Sequence, residues 1–304
     1  MPSRIGYIGL GHLGLHLASS LQRGGCDLVV HDLDESLSAG LVGAGAEFAA
    51  TPAEVAARCD VVFTCLPSSQ VIDRVVTGET GVLAGLARNG TWIDNSTNDR
   101  AENLRLGDRC KERGVSFLEC PVTGGVHKAA AGDITVLVGG EAALFHRHRH
   151  LREMIGNPVL YMGQLGNAAL IKVITNMLAF VNLVAAGEAL MLAKRGGVDL
   201  RSTFEAILHS SGNSFVHETE SQVILNGSYN IGFTMDLACK DLGFATQFGR
   251  EFGVPLDLAG LTEQTFIRAR SQFGGGAWSS QVVKLLEDAL GTDLRAPDFP
   301  EVLQ

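Results

Sequence analysis

The sequence predicts an α/β fold: an N-terminal doubly wound, largely parallel sheet, then an all-α C-terminal domain, joined by one long interdomain helix. Three observations carry this expectation. Short β-rich runs alternate with helical stretches through the first half, the pattern of βαβ units. Several runs, Val61-Val62-Phe63 above all, are continuously apolar, as strands covered by helices on both faces are. From Asn167 onward strand signals nearly vanish and an Ala-, Leu- and Met-rich helical pattern begins.

The strand-like runs are Ile5–Ile8, Leu28–His31, Val61–Leu66, Thr91–Asp94, Val115–Glu119 and Ile134–Val138. Helical patterns separate them at Leu13–Arg23, Ser36–Gly43, Pro52–Arg58, Ser69–Val76 and Arg100–Arg113. The long helix is expected over Asn167–Lys194 and ends at Arg195-Gly196-Gly197, a basic last turn followed by glycine. Further helices are expected near Leu200–His209, Thr219–Leu225, Leu237–Phe252, Leu258–Ser271 and Gln281–Leu290. The turn at Gly163–Gly166 marks the expected boundary, giving domains 1–163 and 164–304.

A chain of 304 residues fits two domains, and 46% hydrophobic with 19% charged residues excludes intrinsic disorder. The net charge of −9 argues against nucleic acid or an anionic membrane as the main partner. The apolar stretch Val173–Gly187 carries Thr175, Asn176 and Asn182 and is shorter than the ~20 residues of a spanning helix. No charged and then apolar leader precedes Ile5, so a cytoplasmic protein is expected. The six cysteines show neither a C-x-x-C pair nor metal spacing, which reads as reduced thiols and no metal site.

Three constellations carry chemistry. Gly9-Leu10-Gly11-His12-Leu13-Gly14 follows a strand and opens a helix, the context of a Rossmann-type dinucleotide turn. Gly9 allows the tight turn, Gly11 the approach of a pyrophosphate to the helix N-terminus, and Gly14 close helix–strand packing. Asp32 ends the second strand 18 positions past Gly14, where an acid accepts from an adenosine ribose. The run Asp32-Leu33-Asp34-Glu35 repels a 2′-phosphate, which favours NAD over NADP. The second constellation, Glu119 to Gly125, closes a strand with Pro121, Thr123, Gly124 and Gly125, a hydroxyl and bare amides suited to a carboxylate. In the third, Lys172 and Asn176 share one face of the long helix, where an isolated lysine otherwise snorkels to solvent. Lys240-Asp241 lies in a later apolar helix and also reads as a surface ion pair.

Together these residues resemble the β-hydroxyacid dehydrogenase family, which includes 3-hydroxyisobutyrate dehydrogenase and tartronate semialdehyde reductase. The likeness runs from Ile5-Gly6-Tyr7-Ile8-Gly9-Leu10-Gly11 to Lys240-Asp241-Leu242, nearly the whole chain. It implies substrate binding at Thr123, Gly124, Gly125 and Thr175, and catalysis by Lys172 with Asn176. It implies cofactor contacts at Gly9 to Gly14, Asp32, Leu66, Pro67, the Asp94–Thr97 loop including Thr97, and Lys240. The reaction implied is hydride transfer between a small β-hydroxyacid and NAD, with Lys172 as general base in oxidation and acid in reduction. Desolvation among Leu170, Ile171 and Val173 is expected to bring down the pKa of that lysine. The chain departs from the family at Ala168, where glycine is usual, at Thr175, where asparagine is usual, and at Asn98-Asp99-Arg100. Relatives form dimers and tetramers, so a homodimer or homotetramer is implied. The alternatives are an imine reductase, a 6-phosphogluconate-type dehydrogenase and a nonenzymatic dinucleotide-binding protein. Phe215, His217 and Phe233 are further positions near the expected pocket.

Overall fold

The structure, a computed structural model, describes residues 4–303. Six parallel strands lie in the order β3-β2-β1-β4-β5-β6. They are β1 (Arg4–Ile8), β2 (Asp27–His31), β3 (Glu47–Phe48), β4 (Val61–Thr64), β5 (Thr91–Asp94) and β6 (Ser116–Glu119). This is the Rossmann order that the alternating pattern implied, with its switch point between β1 and β4. Strand periodicity sorts the core onto two faces. Ile5, Tyr7, Phe63, Ile93 and Leu118 pack on one side, and Ile8, Val62, Trp92 and Phe117 on the other. Trp92 stacks on Phe117 with centroids 4.0 Å apart.

Beyond β6 the sheet changes direction. β7 (Val122–Thr123) and β6 both pair antiparallel with β8 (Thr135–Gly140) in one unbroken register. The Pro121 carbonyl bridges the gap by accepting from the Leu137 N–H at 2.9 Å. β9 (Val159–Gly163) pairs parallel on the other edge of β8. The sequence pattern did not reveal β3, β7 or β9. β3 and β7 have two residues each, and Pro121 masks the second. β9 leaves Leu160 and Tyr161 about 40% exposed, so it carries no buried run. Four short helices, Val82–Gly85, Val126–Ala131, Ala142–Arg147 and Arg149–Ile155, also escaped a reading tuned to longer periodic stretches.

The chain divides into two compact units, Met1–Lys172 and Val173–Gln304, and the division falls inside the long helix Asn167–Arg195. In the second unit this helix is followed by Leu200–Leu208, Phe215–Asn226, Met235–Phe252, Asp257–Phe273 and Lys284–Leu290. The Phe215–Asn226 helix starts four residues earlier than its apolar pattern because the Ser214 hydroxyl accepts from the His217 N–H. The last stretch splits into a 3₁₀ turn, Ser279–Val283, and a short α-helix. Gly197, at φ +77°, closes the long helix as expected.

The apolar stretch read at fifteen residues extends into a helix of 29, whose most apolar window has mean hydropathy 1.8, enough by length and composition to cross a membrane. Its Phe180, Leu183, Leu190 and Met191 are buried with Met235, Leu242, Phe266 and Val282, while its Ile174, Leu178 and Leu192 are exposed. No disulfide joins the six cysteines.

Candidate active site

The glycine turn sits where β1 meets the helix Gly14–Arg23. Gly9 has φ +94°, and a Cβ there would overlap the Cys65 carbonyl oxygen; a Cβ on Gly14 would overlap the Gly9 carbonyl oxygen. Gly11 is different, since a Cβ there meets nothing within 4 Å. Two glycines therefore serve the fold, and the third borders open space. Leu10 is buried, Gly11 and His12 are exposed, and Leu13 is half-buried at the helix start. At the end of β2, Asp32 Oδ2 accepts the Leu10 N–H at 2.6 Å and Oδ1 accepts the Asp34 N–H at 3.0 Å. Each oxygen keeps a further lone pair for a hydroxyl donor. An open glycine at a helix N-terminus beside an anchored acid fits the pyrophosphate and ribose of a dinucleotide.

The loops after β4 and β5 are fastened to each other. Buried Asp94 accepts through Oδ1 from the Thr64 hydroxyl (2.7 Å), the Ser96 hydroxyl (2.6 Å) and the Ser96 N–H (3.1 Å). The Ser96 hydroxyl oxygen in turn accepts the Leu66 N–H at 2.8 Å. This fixes Leu66 and Pro67 after β4, and Thr97 after β5, at the carboxyl end of the sheet. Asn95 donates to the Cys120 carbonyl at 2.8 Å, tying the same loop to the end of β6.

Thr123, at the end of β7, pairs with Thr135. Gly124 and Gly125 follow at φ +127° and +90°, conformations that L side chains rarely adopt, so the corner requires glycine.

Lys172 is 8% and Asn176 9% exposed, so the lysine does not snorkel to solvent. In the second unit, Asn176 Nδ2 donates to Asp241 Oδ2 at 2.6 Å, and Lys240 Nζ lies 3.3 Å from Asp241 Oδ1. Asp241 is fully buried, so Lys240-Asp241 is not the solvent-facing pair that a sequence reading allows. Asp241 joins Asn176 and Lys240, which the resemblance assigned separately to catalysis and to the cofactor. The unused signal was its charge at an otherwise apolar helical position. Thr175 is half-buried beside them in sequence. The three positions named as near the pocket differ in setting: Phe215 is 48% exposed, and Phe233 packs against Phe180. His217 is core, 1% exposed, with Nε2 against the Phe204 carbonyl and Nδ1 against the Ser221 hydroxyl.

Residues 4–163 match the family model described as the NAD-binding domain of 6-phosphogluconate dehydrogenase. Residues 166–286 match that described as NAD-binding of NADP-dependent 3-hydroxyisobutyrate dehydrogenase. L-threonate dehydrogenase of Cupriavidus necator is 34% identical, over 94% of this chain and 96% of its own. The chain belongs to the 3-hydroxyisobutyrate dehydrogenase-like β-hydroxyacid dehydrogenases. Another member, 2-(hydroxymethyl)glutarate dehydrogenase of Eubacterium barkeri, is 32% identical over 96% of this chain and 97% of its own. The solved 3-hydroxyisobutyrate dehydrogenase of Salmonella typhimurium superposes with a TM-score of 0.87 at 28% identity, covering 93% of this chain and 99% of that one. An imine reductase of Myxococcus stipitatus shares the fold, at a TM-score of 0.64 and 17% identity, over 94% of this chain and all of its own. This β-hydroxyacid dehydrogenase is therefore an oxidoreductase with an NAD(P)-binding domain.

Proposed function

We propose that the chain interconverts a small β-hydroxyacid and its carbonyl form with NAD as the preferred partner. The observation that carries this reading is the buried Lys172, one turn into a long helix, with Asn176 on the same face. When bound, the nicotinamide supplies the hydride acceptor at C4. The chain supplies the rest. Lys172 takes the hydroxyl proton in oxidation and returns it in reduction. The Thr123 hydroxyl and the amides of Gly124 and Gly125 hold the carboxylate. Asn176, fixed by Asp241, orients the reacting carbon, and Thr175 shapes the pocket around the rest of the substrate. Gly9, Leu10, Gly11, His12, Leu13 and Gly14 receive the pyrophosphate, Asp32 the ribose, and Leu66, Pro67, Thr97 and Lys240 the remaining cofactor surface.

The acidic run from Asp32 to Glu35 supports NAD over NADP. Residues 1–163 form the dinucleotide domain in this reading, and 164–304 a substrate and oligomerisation domain in a cytoplasmic homodimer or homotetramer. Relatives named for threonate, hydroxymethylglutarate and hydroxyisobutyrate, with a solved Mycobacterium tuberculosis member described with L-serine, set the substrate panel. Each compound is offered with NAD or NADP to the wild type and to Lys172→Ala while reduced nicotinamide is followed at its absorbance band. Turnover on one hydroxyacid, lost in the variant while NADH still binds, is the expected result. A variant that keeps wild-type turnover removes Lys172 from the mechanism, and silence of the wild type across the panel removes the substrate class.

A further inference from the structure

The helix that carries Lys172 begins against a buried acid that the reaction as proposed leaves unused. Glu119, the last residue of β6, is 1% exposed. Its Oε1 accepts the Ala168 N–H at 2.8 Å, in the first turn of the long helix. Burial pushes the Glu119 carboxyl up from its usual range, and the bonds from Asn103 and the backbone amides of Ala168, Ala169 and Gly166 oppose that shift. Its Oε2 accepts from Asn103 Nδ2 at 2.6 Å, and Asn103 Oδ1 accepts from Asn98 Nδ2 at 2.7 Å. Asn98 and Asn103 are 0% and 1% exposed, so no water competes for this chain of bonds. Every partner of the carboxylate is a donor, the arrangement an anion at a helix N-terminus satisfies. The opposite wall is also fitted to it. Gly139 pairs with Glu119 across the β6–β8 ladder, and a Cβ there would overlap Glu119 Oε1.

We infer that Glu119 is a positioning residue for Lys172, clamping the first helical turn and, through Asn103 and Asn98, tying it to the loop after β5. The inference rests on the role of Lys172 proposed above. Ala168 lies four residues before Lys172, so its carbonyl is the helical acceptor of the Lys172 N–H. A slip of that first turn moves the lysine directly. Ala168 is 0% exposed, and the departure from the family's glycine there places a methyl in the buried turn. The relay lies wholly within the Met1–Lys172 unit.

The test compares Glu119→Ala, Glu119→Gln and Asn103→Ala in the full-length protein. Gln keeps an oxygen for the Ala168 amide. Hydrogen exchange over residues 167–176, read by mass spectrometry, reports the clamp without any substrate. Steady-state kinetics and NADH titration report its consequence. Glu119→Ala is expected to speed exchange in that peptide about tenfold or more and to lower kcat about 10–100-fold, the cost of roughly an ångström of misplacement. NADH affinity and KM should stay within about threefold, Gln should recover most of kcat, and Asn103→Ala should fall between. Unchanged exchange in all three variants overturns the clamp, whatever the activity. Faster exchange with unchanged kcat overturns the positioning role. If Glu119→Ala does not fold, the Gln and Asn103→Ala pair decides the matter by the same criteria. A wild type without turnover, yet with exchange responding, refutes the proposed reaction and leaves the clamp standing.

Discussion

Gly11→Ala and Gly14→Ala separate the two tasks of the glycine turn. Gly11 lacks a positive φ, and a Cβ there meets nothing within 4 Å. Alanine fits the folded backbone and removes freedom from the unfolded chain, a gain of about 0.4–1 kcal/mol. The methyl group then stands where a pyrophosphate must approach. Losing one charge-assisted hydrogen bond costs about 1.5–3 kcal/mol, which raises the NADH Kd about 10–150-fold. Gly14 is the reverse case. Its Cβ falls well inside the 3.0 Å that Cβ atoms keep from other heavy atoms, and the obstacle is the backbone oxygen of Gly9, which cannot swing aside. Overpacking of this kind costs about 1–3 kcal/mol, roughly 2–4 °C of melting temperature per kcal/mol for a domain of this size. Fluorescence titration with NADH and thermal melting without nucleotide read the two effects apart. Gly11→Ala should melt at or above the wild type and bind poorly. An unchanged Kd, or a melting loss as large as that of Gly14→Ala, refutes the division of labour.

Two further outcomes follow from the buried polar groups. Burial, aided by Arg152, lowers the His148 pKa from 6.5 to about 4, with Nε2 3.1 Å from the Thr91 hydroxyl. The unfolded histidine takes its proton first as pH falls, so its contribution is whole above about 6.5 and lost by about 4. The loss is at most about 3 kcal/mol. Urea unfolding of His148→Gln should be flatter across that window, and an equal acid loss in the variant excludes His148 as the cause. Asp241→Ala removes the acceptor shared by Asn176 and Lys240, with an expected stability cost of about 1–3 kcal/mol and weaker NADH binding. Asp241→Asn, which keeps an oxygen for Asn176, should retain more turnover than Asp241→Ala; equal turnover in the two argues against the shared clasp.

The parallel sheet was legible because its strands are apolar on both faces and separated by capped helices. Thr51, Ser68 and Asp99 each accept backbone N–H groups at the starts of the helices that follow them. The antiparallel arm was not legible, since a two-residue strand after proline and an exposed β9 leave no periodic trace. The glycine turn could be read from local spacing, whereas Lys172 was marked out by the family resemblance, since a lone lysine on an apolar helix ordinarily reaches to solvent. The partners that hold them could be read in neither way. Asp94 reaches back 30 residues to Thr64, Glu119 forward 49 to Ala168, and Asn176 forward 65 to Asp241. Such pairings are made by topology, and no spacing rule announces them.

Lys172 is the last residue of the first compact unit, while its helix runs on to Arg195. In the reaction proposed above, the proton carrier is therefore inherited with the first unit. A recombination event that crosses over after codon 172 brings in a new helical half without disturbing the register of Lys172. One that crosses over in the turn at 163–166 separates Glu119 from the native sequence of the amides it holds. For shuffling substrate preference among relatives, a crossover just after Lys172 keeps that residue with the compact unit its helical turn belongs to.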